Sequence, residues 1–219
     1  MAALRARLAG LAVCATGTVD VLSATATGYH RTAGSFITDG FQAGEEVTPT
    51  GFTQTTTGVI TAVTAADLTV AGGRTVQAVG AARSLAVVLP SKEAPEGVTY
   101  APTAGVPFWE ADYMGGPAFQ RSFGGVGGVV EVTPMWVVKI YTPTSGAFLA
   151  AGRAASDAYA DAILGLFPPK LGLTLSTGDL VRVRTDVAPY RGQLQPSGAA
   201  GFAVVTVTIP LRGDAVNTL

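Results

Sequence analysis

Along most of this chain apolar and polar residues alternate with the period of two that marks half-buried strands, and only two stretches step by three and four. Val129 to Tyr141 predicts a long strand, with Val130, Val132, Trp136, Val138 and Ile140 on one face. Phe108 to Met114 sets Phe108, Glu110, Asp112 and Met114 against Trp109, Ala111 and Tyr113. Leu85 to Leu89 is a short apolar strand stopped by Pro90, and the Pro-punctuated Lys92 to Pro107 suits an extended edge or a loop. Leu180 to Asp186 and Phe202 to Leu211 predict two closing strands, most simply antiparallel, joined by a loop with Pro189, Gly192, Pro196 and Gly198. Between the two central strands, the Gly-rich residues Gly115 to Gly128 predict a long hairpin arm.

The helical spacing occurs at Leu4, Leu8 and Leu11, and again between Ala147 and Phe167. In the second stretch Phe148, Gly152, Ala155, Tyr159, Ile163 and Phe167 form one stripe, Thr144 or Ser145 can cap the start, and Pro168-Pro169 ends it. At the N-terminus, Arg5 and Arg7 before Leu8 to Ala15 also resemble a signal peptide, with a hint of a lipoprotein box at Leu11–Cys14. The short apolar run, and the large Val13 where such a box carries a small residue, favour an amphipathic helix.

Thr18 to Val79 has a different texture: Thr- and Gly-rich, without lysine and without helical periodicity. Short runs alternate with turn signals, from Phe36-Ile37-Thr38 and Asp39-Gly40 through Val59 to Val63 and Leu68 to Val70, with Gly72-Gly73 offering a two-residue hairpin turn. Phe36, Phe41, Val47, Phe52, Ile60, Leu68 and Val70 supply a core for a small barrel or sandwich. The expected fold is therefore α+β: a mixed or antiparallel sheet packed by one long helix and a short N-terminal helix, with an inserted all-β module. The α+β domain is read as residues 1–17 plus 80–219, and the module as 18–79.

Composition narrows the function. Apolar residues make up 48% of 219 residues, but charged residues only 13%, about half of the ~25% of an ordinary soluble domain. Gly (28) and Thr (27) take their place, and a surface poor in charge can be buried against neighbours at low desolvation cost. The net charge of −1 provides no basic excess for a dedicated nucleic-acid-binding role. Cys14 is the only cysteine, which excludes an intramolecular disulfide and a cysteine-built metal site. No stretch approaches the ~18–20 apolar residues of a membrane-spanning helix.

Candidate chemistry is sparse. His30, the only histidine, lies in the β segment with no nucleophile elbow in the chain. Glu110 and Asp112 share a strand face, but acid–base work by a carboxylate pair needs separation and a cleft. Gly124 to Gly128 runs into a strand at Val129, the wrong context for a phosphate-binding loop. Ligands with metal-site spacing are not found. Arg182 and Arg184 alternate with Val181 and Val183, with Arg191 in the following loop. They fit either a solvated face with Asp186 as partner or a polar contact surface for a neighbouring subunit.

Outside the module the chain is similar to the tail terminator proteins of long-tailed (siphovirus-type) bacteriophages. The resemblance runs from the basic first helix through Gly97-Val98-Thr99-Tyr100-Ala101-Pro102 and Val106-Pro107-Phe108-Trp109-Glu110 to Val132-Thr133-Pro134-Met135-Trp136-Val137-Val138. It continues through Tyr141 to Ser145, the Ala-rich helix ending Leu164-Gly165-Leu166-Phe167-Pro168, and Val205-Thr206-Val207-Thr208-Ile209-Pro210, covering roughly residues 1–16 and 85–213. Thr18 to Val79 departs from the compact family form, and its Gly34-to-Phe52 pattern looks like small β modules inserted into phage structural proteins.

The resemblance implies a hexameric ring that caps the tail tube, stops its polymerisation and joins the tail to the head-side connector or stopper protein. It implies a virion protein of the tail neck, made in the host cytoplasm, that is not an enzyme and holds no cofactor or metal. DNA passes through the lumen without specific binding, and no membrane is involved. Gly116, Phe119, Arg121 and Phe123 of the hairpin arm, with Arg182, Arg184 and Arg191, are then candidates for the subunit or tube interface. Two other readings compete: a different head–tail neck protein (stopper or head completion), and a carbohydrate- or surface-binding β module displaying Phe36, Phe41 and Phe52.

Overall fold

The computed structural model describes residues 2–19, 21–95, 99–120, 129–144, 152–174, 180–197 and 201–216. The first sheet is built from β1 (Cys14–Ala15), β2 (Leu22–Thr25), β3 (Gly28–Arg31), β4 (Glu46–Thr50), β5 (Gly58–Val63), β6 (Asp67–Val70), β7 (Gln77–Gly80) and β8 (Ser84–Val87). Its strand order is β1-β8-β4-β5-β6-β3-β2-β7, with every pairing antiparallel. Leu22 and Ala24, Tyr29, Val47, Ile60, Leu68 and Val70, and Leu85 and Val87 turn inward from successive strands, as the two-residue period requires. Phe36 and Phe41 fill the interior edge to face, 5.6 Å between ring centroids.

Three arginines close this layer. Arg31, Arg74 and Arg83 each lie over an aromatic ring, those of Phe36, Tyr29 and Phe52 in turn, at 4.8–5.6 Å. Gly58 has no side chain because Arg74 needs the space: a Cβ there would lie 1.7 Å from the Arg74 guanidinium.

Two sequence expectations change here. Gly72 and Gly73 do turn, with φ of 83° and 66°, but the chain then crosses to pair β7 with β2 instead of folding back on β6. Ser84–Val87 pairs with β4 and β1, so this sheet takes in residues on both sides of 18–79.

The second sheet contains β9 (Lys92–Glu93), β10 (Phe108–Met114), β11 (Ala118–Gln120), β12 (Val129–Val132), β13 (Met135–Pro143), β14 (Gly172–Thr174), β15 (Leu180–Val183), β16 (Tyr190–Arg191), β17 (Gln195–Pro196) and β18 (Phe202–Val216). Its main path is β11-β12-β18-β13-β10-β9, while β15, β16 and β17 line the other edge of β18 and β14 pairs with β15. Among the described residues there are two helices, α1 (Ala2–Leu8) and α2 (Gly152–Leu166).

The α+β expectation is overturned. Among the described residues the chain is mostly β, with 45% in strands and 12% in helices, and no long helix forms a layer over a sheet. Residues 147–151 of the expected helix lie outside the described residues. Among the described residues the Ala-rich stripe yields the 15 residues of α2, while the stretch expected as an extended edge or a loop supplies β9, and the loop expected before the last strand supplies β16 and β17. Two-residue strands leave no periodicity in a sequence, so their weight was invisible.

One contiguous core joins the two sheets, from Leu4, Leu8 and Leu11 through Phe36 and Phe41 to Trp136, Tyr159, Ile163 and Phe167. At the junction the Glu46 N–H donates to the Tyr159 hydroxyl at 3.3 Å, and the Glu46 carboxylate accepts from Thr57 Oγ1, Ser91 N and Ser91 Oγ. Neighbouring Glu45 is fully buried. Its Oε2 accepts the Gln42 N–H at 2.9 Å, but Oε1 has no hydrogen-bond partner among the described residues. Burial pushes its pKa from 4.5 up to about 8. The Cys14 thiol and the Tyr159 hydroxyl are also pushed up, by burial first and then by the charge of Glu45.

Between pH 4.5 and 8 the unfolded chain therefore releases a proton that folded Glu45 keeps, and stability falls as pH rises, on the order of 1 kcal/mol per unit. Denaturant titrations at pH 5 and pH 8 test this. Glu45→Gln should flatten the decline, and equal slopes in both proteins would show that Glu45 ionises freely.

Candidate functional site

Because antiparallel neighbours directly opposite each other point to the same side, the register of β18 sorts the candidate residues by face. Val205, Val207, Ile209 and Leu211 face the core, so Thr206, Thr208 and Arg212 face outward. At the Phe202 end of this outer face Phe108 stacks on Tyr141 at 4.2 Å, and Phe202, Tyr100 and Ala94 pack around them. In the middle Lys139 Nζ bridges Glu110 Oε1 at 2.7 Å and Asp112 Oδ2 at 3.1 Å, and the Tyr141 hydroxyl donates to Glu110 at 2.8 Å. Burial alone would lower the Lys139 pKa, but its hydrogen bonds and the charges of Glu110 and Asp112 outweigh that and raise it. Burial, then the bond to Glu110, pushes Tyr141 up to about 12. The carboxylate pair is thus held by one ammonium, in an arrangement that suits a fixed surface more than proton transfer.

The arginines lie at the other end of the same face. Arg182 of β15 sits directly opposite Arg212 of β18. Arg212 reaches Glu131 at 3.2 Å, and Arg184 forks onto Asp186, holding that carboxyl down at about 2 through the hydrogen bond. No carboxylate lies within ion-pair distance of Arg182 among the described residues. The three arginines, with Lys170, Leu180, Asp186 and Asp214, line an open groove of about 590 Å³. Lys170 is held at φ 72°, a left-handed backbone that costs a residue with a side chain. Sequence reasoning missed Lys170 and Arg212: the first follows Pro168-Pro169 in what reads as a helix terminator, and the second becomes a neighbour of Arg182 only through strand register.

Arg191 does not join them. It stands opposite Val207, on the core side of the sheet, where its guanidinium reaches Asp157 at 3.1 Å and Asp161 at 3.2 Å on α2. Its role there is to tie β16 to the helix.

The hairpin arm is described at its base. Ala118, Phe119 and Gln120 pair with Val132, Glu131 and Val130, while Arg121 and Phe123 lie outside the described residues. Gly116 is forced by a close approach: a Cβ would lie 1.7 Å from the Thr133 carbonyl oxygen. Among the described residues β11 has no strand on its far edge, and β10 beyond Trp109 pairs only with β13. Tyr113 and Met114 are exposed at that end of β10.

His30 is half-exposed on β3 and bonds Asp67 through Nδ1 at 2.8 Å. Phe36, Phe41 and Phe52 are buried, so they form no platform for a carbohydrate ligand. No three metal-ligating side chains converge, and no helix is long and apolar enough to cross a membrane, among the described residues.

No protein-family model matches the chain, and neither does any curated protein. A solved protein of unknown function is similar over 57% of this chain and 79% of its own length, at 20% identity and a TM-score of 0.41. A likeness that slight carries no argument about fold or activity.

Arg191→Ala should cost about 0.5–1 kcal/mol in urea denaturation, because it deletes two half-exposed ion pairs. Arg182→Ala should be neutral or slightly stabilising, since it relieves a like-charge cross-strand pair. A loss above about 1 kcal/mol for Arg182→Ala would mark it as a structural residue.

Proposed function

We propose that this chain is a virion structural protein that assembles head to tail into a ring, caps the tail tube of a long-tailed phage and ends its polymerisation. The observation that carries this reading is one long open sheet edge: among the described residues β10 from Glu110 to Met114 and β11 lie end to end along the far side of β13 and β12 from β18, with no strand beyond them. A strand edge offers unpaired N–H and C=O groups, a ready template for another chain. Where such an edge meets a different surface of the next copy, contacts run head to tail, and they close as a ring if the rotation permits. The 13% charged composition lowers the desolvation cost of burying such a face.

In this reading the ring is hexameric. One face meets the tail tube protein, and the other meets the head-side connector or stopper protein. DNA passes through the lumen without specific binding, in keeping with a net charge of −1. The protein works in the virion neck, after assembly in the host cytoplasm, and performs no catalysis. The proposal rests on that edge and on charge; the corrected fold class removes any support from a helical layer.

Light scattering and negative-stain electron microscopy test it directly. Closed hexameric rings are the expected result, and a protein that stays monomeric even with tail tubes present would contradict it. Met114→Lys, at a position 50% exposed beside the open edge of β10, should leave subunit stability within about 0.5 kcal/mol while shifting the population from rings to monomers.

A further inference from the structure

The groove at the Arg212 end of the outer face is built for a ligand that the ring reading does not supply. Lys170, Arg182, Arg184 and Arg212 surround it, and Asp186, Asp214 and Glu131 partly offset them. Among the described residues Arg184 and Arg212 already have carboxylate partners, and Arg182 and Lys170 are the unmatched cations. Two arginines directly opposite on neighbouring strands repel each other, and Lys170 pays for its position in backbone conformation. An incoming anion would relieve the first of these costs and use the side chain that the second holds in place.

The surroundings say which anion. A nucleic-acid backbone would bring successive phosphates past Asp186 and Asp214, which repel them. One carboxylate is enough to match the local excess of positive charge, and the planar fork of Arg182 suits it. Leu180 is 46% exposed and lies two residues from Arg182 on the same strand face. An extended partner repeats its side chains on one face at about 6.6 Å, so it can set an apolar residue on Leu180 and an acidic one on Arg182 together. The chain's own described strand carboxylates are already engaged, Glu110 and Asp112 by Lys139, Glu131 by Arg212, Glu93 by Arg5, Asp67 by His30 and Glu46 by Thr57 and Ser91, while Asp214 lines the groove itself, which argues against a second copy as occupant.

We infer that this groove binds an extended segment of a different protein that carries an apolar and an acidic side chain two residues apart. The site does not depend on ring formation and can be measured on monomer or ring alike.

Fluorescence anisotropy with the labelled peptide Thr-Val-Thr-Asp-Thr-Thr should show saturable binding that weakens as salt is added. The control Thr-Val-Asp-Thr-Thr-Thr, with adjacent apolar and acidic residues, should bind more weakly. Arg182→Gln should reduce affinity about tenfold. Lys170→Gly separates site from scaffold: it should raise the thermal midpoint by releasing the left-handed strain while weakening the peptide. The inference is overturned by any of three results: no saturable binding, unchanged affinity in both variants, or tighter binding of an oligothymidylate than of the peptide.

Discussion

The larger sheet depends on the backbone pairing of β18. This strand of 15 residues runs antiparallel to β13 and then β12 along one edge, and to β17, β16 and β15 along the other. Every hydrogen bond in those ladders fixes register, and a slip of one residue would exchange the two faces of the sheet. Val205, Val207, Ile209 and Leu211 would leave the core, and the large apolar area they bury makes that slip prohibitive. The same register places Arg212 opposite Arg182 and Arg191 on the helix side. The proposed surfaces are therefore consequences of how one strand is paired.

That dependence also separates what the sequence could say from what it could not. Alternation in β10, β13 and β18 identified which residues face inward, and the leucines of α1 and the Tyr159–Ile163–Phe167 stripe were legible from their spacing. Pairing partners were not legible. Nothing in Ser84–Val87 announces β4 as its neighbour, and nothing in Gly72-Gly73 says that the next strand will cross to β2. The fold class failed for a related reason: helical periodicity stands out in a sequence, whereas two-residue strands such as β9, β16 and β17 add to a sheet with no pattern of their own.

The candidate surfaces divide in the same way. Arg182 and Arg184 were found because they alternate with valines, and Arg191 was grouped with them by proximity in sequence although it points the other way. Lys170 and Arg212 needed the structure. Glu45 is a further case: in sequence it is one of two adjacent glutamates, while in the fold it is buried at the junction of the sheets beside Cys14 and Tyr159. A carboxyl that stays protonated in the fold while it ionises in the unfolded chain makes stability fall as pH rises, and so links the joint between the sheets to pH.

The central claim is that the open edge formed by β10 and β11 joins the next copy, and hydrogen exchange across an assembly titration tests it most directly. Backbone amides of Glu110–Met114 and of Ala118–Gln120 should gain protection together as the protein assembles, while the groove at Arg182 stays unchanged. Assembly that leaves this edge unprotected would contradict the account.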